Sequence, residues 1–254
     1  MNPYIITSAF KDFARPVRII GWFLMIVFLA GIAWIWKFNG KSLSPLEAYG
    51  QMADVFIFRV AGLAAAVMSM GVIAQEIDQR TIVYLLTRSQ PRWAILVGRW
   101  IAAVAATTII GWVTVLACSV SVMGVSGITN MTVMRDLGIM CLAAIAYCSI
   151  FTLVSLIINR ALIFCLLFAF GWETFAQNLE GMSRLSVLTY LNALTNHPDL
   201  KAKGLLTFMA GDMTFNKPAV WLAFMALAGI TVITIGLAIY AFQNFEYSPR
   251  EDAE

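Results

Sequence analysis

Apolar residues in this chain fall into long, nearly unbroken runs. Six of them approach or exceed the roughly 20 residues that carry a helix across a bilayer. They extend from Ile19 to Trp36, Val55 to Ala74, Ile95 to Val122, Leu137 to Ile158, Ala161 to Gln177 and Ala219 to Phe242. Lipid-facing barrel strands would instead be short alternating segments, and nothing of that kind occurs. The pattern predicts an all-α polytopic membrane protein with six spans, because a helix satisfies its own backbone where lipid offers no partner.

The polar stretches organise the rest. Residues 1–18 place Ile6, Phe10 and Phe13 on one side of a helix and Ser8, Lys11, Asp12 and Arg15 on the other, with Pro3 near its start and Pro16 near its end. This predicts an amphipathic interfacial helix. It also argues against a cleaved leader, since no small-residue cleavage site follows the first span. Residues 19–243 form the transmembrane domain and residues 244–254 a short charged tail. Spans four and five meet at Asn159 and Arg160, which requires a tight hairpin, whereas about 40 residues separate spans five and six. In that long segment the runs Leu185 to Leu194 and Leu205 to Met213 are too short to cross, and they predict two short re-entrant or interfacial helices.

Composition and charge narrow the class. Hydrophobic residues make up 61% of the chain and charged residues 12%, and the mean hydropathy is +0.82, far from a soluble domain. A net charge of +3, with no basic aromatic-interleaved patch, gives no sign of nucleic acid binding. Lys11, Arg15, Arg18, Arg80, Arg88, Arg92, Arg99, Arg160 and Arg250 share one side if the N-terminus is cytoplasmic, and four arginines crowd the loop between spans two and three. That crowding places both termini in the cytoplasm. Cys118, Cys141, Cys148 and Cys165 all fall within spans, as packing residues.

The loop after span two is the most informative. Gln75 to Arg88 reads as a helix in which Glu76 precedes Arg80 by four residues, the favourable order for an ion pair, while Ile77 and Leu85 supply an apolar face. Ser89, Gln90 and Pro91 interrupt it, and Trp93 and Trp100 follow at the membrane interface. The run Glu76-x-x-x-Arg80-Thr81-x-x-x-Leu85-Leu86-Thr87-Arg88, then Pro91-Arg92 and Gly98-Arg99, resembles the signature of the type-2 (ABC-2) ABC transporter permeases. Arg80 stands where that family usually has glycine, Ser89 where it has proline, and Arg99 where it has lysine. The resemblance extends to the six spans, the leading amphipathic helix and the long segment between spans five and six.

That resemblance implies a permease subunit whose Gln75 to Arg92 element acts as a coupling helix, seated on a separate cytoplasmic ABC ATPase that binds ATP and magnesium. Two permease copies, as a homodimer or close heterodimer, would pair with two ATPase chains to form an exporter in a bacterial-type plasma membrane. Glu76, Arg80, Thr81, Leu85, Arg88 and Arg92 are the expected ATPase contacts. No G-x-x-x-x-G-K-[ST] occurs in this chain. Asn39-Gly40-Lys41-Ser42 only imitates one, since Ile35 occupies the place of the first glycine. The chain itself therefore has no expected catalytic residue and no cofactor.

Two ionisable residues fall inside spans. Arg59 is five residues into span two from its outer end, and Glu173 lies late in span five, so the expectation is either an ion pair between them at an outer gate or snorkelling of each side chain to the outer interface. Met68, Met70, Phe164, Phe168, Phe170 and Trp172 on spans two and five are candidates to line a path for a lipid-like or amphiphilic substrate. No metal site is expected, because Met131 and Met134 are the nearest approach to a soft-ligand spacing. His197, in the outer segment, is expected to be structural or solvated. A membrane-embedded scaffold with the permease fold remains an alternative, as does a secondary transporter, although no span carries a midplane cluster of acids and histidines.

Overall fold

The computed structural model describes residues 16–39, 44–72, 91–158, 161–177, 182–195, 197 and 218–244. Every regular element among them is helical. Among the described residues, five helices are long and apolar enough to cross a membrane. The expected interfacial helix of residues 1–18 and the helix at Leu205 to Met213 lie almost entirely outside the described residues.

Helix α1 (Pro16–Asn39) is peripheral. Ile20, Phe23, Leu24 and Phe28 are more than half exposed on the isolated chain, as suits a surface facing lipid tails. Helix α2 (Pro45–Met70) is the opposite case, with most of its apolar window buried. It starts well before the expected boundary at Val55. Ser44 Oγ accepts from the Glu47 amide at 3.3 Å, Glu47 Oε2 accepts from the Ser44 amide at 2.9 Å, and Pro45 occupies the first turn. This capping box starts a helix firmly. The turns it starts carry Glu47, Gln51 and Asp54, so a search for apolar runs passes over them. Arg59 therefore lies not one turn but about 21 Å along its helix, at 1.5 Å per residue from Pro45.

Helix α3 (Arg92–Met123) has 32 residues, about 48 Å of helix, and so outruns a hydrocarbon core of about 30 Å. It ends at Gly124, whose φ of 73° lies in the region that favours glycine and turns the chain into a short 3₁₀ segment, Val125–Gly127. Helix α4 (Met131–Ile157) is capped by Asn130, whose Oδ1 accepts from the Thr132 amide at 3.0 Å. Helix α5 (Ala161–Gln177) is apolar but falls short of 18 residues, and it is the one expected span below the length criterion. Helix α6 (Val187–Leu194) fulfils the expectation of a short helix after α5, and helix α7 (Val220–Asn244) closes the described chain.

α2 packs on α3, α4 and α5, while α1 lies against α3 and α7 against α4. Small residues bring the central helices close. A Cβ added at Gly62 would stand 3.3 Å from the Ala169 Cβ, and Ala61, Ala64, Ala65 and Ala66 are all fully or nearly buried around it. Lipid tails are as apolar as the helix faces, so dense packing and interhelical hydrogen bonds, rather than escape from water, hold such a bundle together. Being surrounded by protein is also what lets α2 carry Asp54 and Arg59.

Candidate functional site

Hydrogen bonds gather the end of α2, the start of α3 and the end of α7 at one place, and the starts of α2 and α4 at another, so the bundle has two ends with different chemistry. At one end lie the C-termini of α2 and α7 and the N-terminus of α3. Arg99, buried in α3, donates from Nη1 to the Val72 carbonyl at 2.9 Å. Arg92, exposed in the first turn of α3, donates to the Gln243 carbonyl at 3.4 Å. These two arginines satisfy carbonyls that the ends of α2 and α7 leave without helical partners. Arg99 also ties together the two sides of the expected coupling element. Glu76, Arg80, Thr81, Leu85 and Arg88 lie outside the described residues, so of the six expected ATPase contacts only Arg92 has a structural placement.

The other end holds α6, with Glu173 at its N-terminus and, just past its C-terminus, His197 held by Asp54 and Asp136. Glu173 reaches the N-terminus of α6. One carboxylate oxygen accepts from the Val187 amide at 3.2 Å and from the Tyr147 hydroxyl at 3.1 Å. The other accepts from the Leu188 amide at 3.2 Å and from the Ser186 hydroxyl. Ser186 in turn caps the helix by accepting from the Thr189 amide at 3.2 Å. An anion accepting several donors at a helix N-terminus is favoured both by hydrogen bonding and by the dipole of the first turn. Arg59 arrives at the same place, and its Nη1 donates to Thr174 Oγ1 at 2.6 Å. The expected pair of Arg59 and Glu173 is thus brought into one neighbourhood, with Thr174 and Tyr147 as immediate partners.

Beyond the C-terminus of α6 stands His197, buried between two carboxylates. Its Nδ1 is 2.8 Å from Asp54 Oδ1 on α2, and its Nε2 is 3.0 Å from Asp136 Oδ2 on α4. Tyr49 donates its hydroxyl to the same Asp136 oxygen at 2.8 Å. The imidazole stacks on Phe58, with ring centroids 6.3 Å apart, and meets Tyr49 edge-on at 6.0 Å. Both carboxylates are acceptors, so both ring nitrogens must donate, and only the imidazolium has two N–H groups. Burial alone would push the His197 pKa down, but the hydrogen bonds and charges of Asp136 and Asp54 outweigh it and raise the value to about 10. With both nitrogens engaged, the ring has no lone pair for a metal. Among the described residues, no group of three His, Cys, Asp or Glu side chains could hold a metal ion.

Both acids sit at irregular turns. Asp54 lies inside a π-helical turn of α2, Ala53–Ile57, and Glu173 follows the π-helical turn of α5, Leu167–Trp172. Such turns insert a residue and re-aim the side chains that follow, and they recur at functional positions. Sequence reasoning placed Glu173 at a gate but missed the group of Tyr49, Asp54, Asp136 and His197. Its signal was present: two acids just before the expected starts of spans two and four, and a single histidine in the long segment between spans five and six. His197 is buried rather than solvated.

The candidates for a translocation path scatter over the isolated chain. Met68 is buried in the core, Phe168 packs edge-on against Phe151 at 5.9 Å, and Met70 and Trp172 are half-buried. Phe164 and Phe170 are exposed on the outer face of α5.

Comparison with known protein families finds a match over nearly the whole chain. The model described as "ABC-2 family transporter protein" covers residues 6–246. No curated protein matches the chain.

Proposed function

Because the chain belongs to the ABC-2 transporter family, a family of multi-pass permeases served by ABC ATPases, we propose that it is the permease of an ATP-driven exporter whose 75–92 element docks on a separate cytoplasmic ATPase. In this reading α5 is a sixth span, and both termini face the cytoplasm of a bacterial-type plasma membrane. ATP and magnesium are held by the partner. Two copies pair, and the exposed face of α5, with Phe164 and Phe170, contributes to a path for a lipid-like or amphiphilic substrate.

The observation that carries this reading is the construction at the base of the coupling element. The Arg99 bond to the Val72 carbonyl at 2.9 Å fastens the end of α2 to α3 on the two sides of residues 73–90. Arg92 adds a contact to the end of α7. A force applied to the element by a closing ATPase pair would therefore move α2 and α3 together. α2 is also the helix whose Asp54 and Arg59 reach the anchors of α6 at the far end. Packed interfaces change between discrete arrangements rather than deforming continuously, so a small displacement at one end can switch the other.

The test is purification of the tagged chain from native membranes, with ATPase assay of what comes with it. A stoichiometric P-loop ATPase that Glu76→Ala and Arg88→Ala detach or uncouple supports the reading. If no ATPase accompanies a chain that retains its own pairing, the coupling reading fails and a scaffold role takes its place.

A further inference from the structure

The geometry points to the Asp54–His197–Asp136 clasp as a latch on the outer end of the transport path: it holds α6 against the bundle in the resting state, and α6 leaves it when that end opens. This rests on the permease reading above for the existence of a transport cycle, but the hold on α6 stands on its own contacts.

Three features support a latch over a static brace. First, α6 is short and depends on its two ends. Glu173 receives its N-terminus from α5, and His197, just past its C-terminus, is gripped by α2 and α4. An eight-residue helix has little stability alone, so these end contacts decide where it sits. Second, the clasp is incompletely satisfied. Asp136 Oδ1 accepts no hydrogen bond although Asp136 is fully buried. A buried acceptor left without a donor weakens the closed state relative to a fully paired one, which suits a contact that must be released. Third, α6 has room to move. A cavity of about 580 Å³ opens beside its C-terminal end, between Leu194 and Thr195 on one side and Ile139, Leu142, Val220 and Phe224 on the other. The pocket is half open to the surroundings, so this flank of α6 is not held by close packing.

Among the described residues, the titratable groups beside the Asp54–His197–Asp136 clasp are Tyr49 from α2 and Cys118 from α3, near Tyr49. Tyr49 donates to Asp136 and remains when His197 leaves, so the acid keeps a partner in the open state. The α2 attachment then connects latch to drive. Asp54 lies on the helix whose other end is fastened to the base of the coupling element.

The experiment uses the full transporter in proteoliposomes. Leu191→Cys, at a fully buried position of α6, is introduced into a chain whose Cys118, Cys141, Cys148 and Cys165 are replaced by alanine. Its labelling rate by a water-soluble maleimide is measured with and without ATP, in the native clasp and in Asp54→Asn and His197→Gln. Expected are slow labelling at rest, acceleration by ATP, and labelling in both clasp variants that is roughly 100-fold faster at rest and no longer responsive to nucleotide. Loss of the nucleotide response separates a latch from a brace, because a brace would only loosen α6 in both states. Equal resting rates in native and variant clasps overturn the latch, as does an unchanged rate in an actively cycling native complex. If no ATPase co-purifies, the permease reading falls instead, and the resting comparison still decides whether the clasp holds α6. Asp54→Asn leaves Asp136 in place, and so provides the milder variant should His197→Gln fail to assemble.

Discussion

Replacing His197 by glutamine removes the cation from a buried acid pair, and the consequence can be sized. The folded-state pKa of about 10 against an ordinary 6.5, at 1.36 kcal/mol per pH unit, corresponds to about 5 kcal/mol of stability from charging His197 in place. That agrees with the roughly 3–5 kcal/mol lost on breaking a buried ion pair. Because the folded value lies above the ordinary one, the contribution is complete below pH 6.5 and fades as pH rises through about 10. The assay is thermal unfolding in detergent from pH 6 to 11, followed by tryptophan fluorescence, for the native chain and His197→Gln. At pH 6 the variant should melt roughly 6–20 °C lower, taking about 2–4 °C per kcal/mol for a chain of this size. The gap should then narrow steadily between about pH 6.5 and 10. Lysines and tyrosines titrate in the same interval in both proteins, so the difference between the curves is the quantity that matters. Parallel curves over the whole range would refute the imidazolium clasp.

Glu173→Gln keeps the shape of the N-terminal anchor of α6 but loses its charge, and should cost about 1.5–3 kcal/mol, the worth of a hydrogen bond to a charged group; a lowered melting temperature at neutral pH checks it. Tyr147→Phe removes one of the donors to Glu173 and should cost about 1 kcal/mol, with a double variant less damaging than the two losses added. Gly62→Leu drives a side chain into Ala169 and Tyr147, and overpacking of this kind should destabilise by about 1–3 kcal/mol, read as the same melting shift. Arg99→Ala frees the Val72 carbonyl and should leave ATPase assembly intact while reducing its stimulation by substrate, measured as turnover of the purified complex.

Much of the fold was legible in the order of the residues. Uninterrupted apolar length declares a membrane helix, since the bilayer sets one minimum span and penalises every exposed polar group. The ends of α3, α5 and α7 and the C-terminal end of α4 fall close to the limits read from hydropathy, whereas α4 starts at Met131, ahead of the expected Leu137. The start of α2 does not, because its first turns are polar and their membership depends on a capping box and on the neighbours that cover them. Glu173 could be singled out as a costly acid within a span, but its role as the cap of α6 could not, since Val187 and Leu188 reach it only after the chain has turned back.

The sequence by itself determined a multi-pass helical protein, its family and the segment expected to meet an ATPase, all of which depend on local runs and short spacings. Only the tertiary structure decided that Tyr49, Asp54, Asp136 and His197 meet. The clasp spans 143 positions between Asp54 and His197 and 61 between Asp136 and His197. No local pattern encodes such separations. A lone histidine in a loop and two acids at span margins each look ready for water, and it is the packing of α2, α4 and α6 that excludes the water and makes the three charges depend on one another.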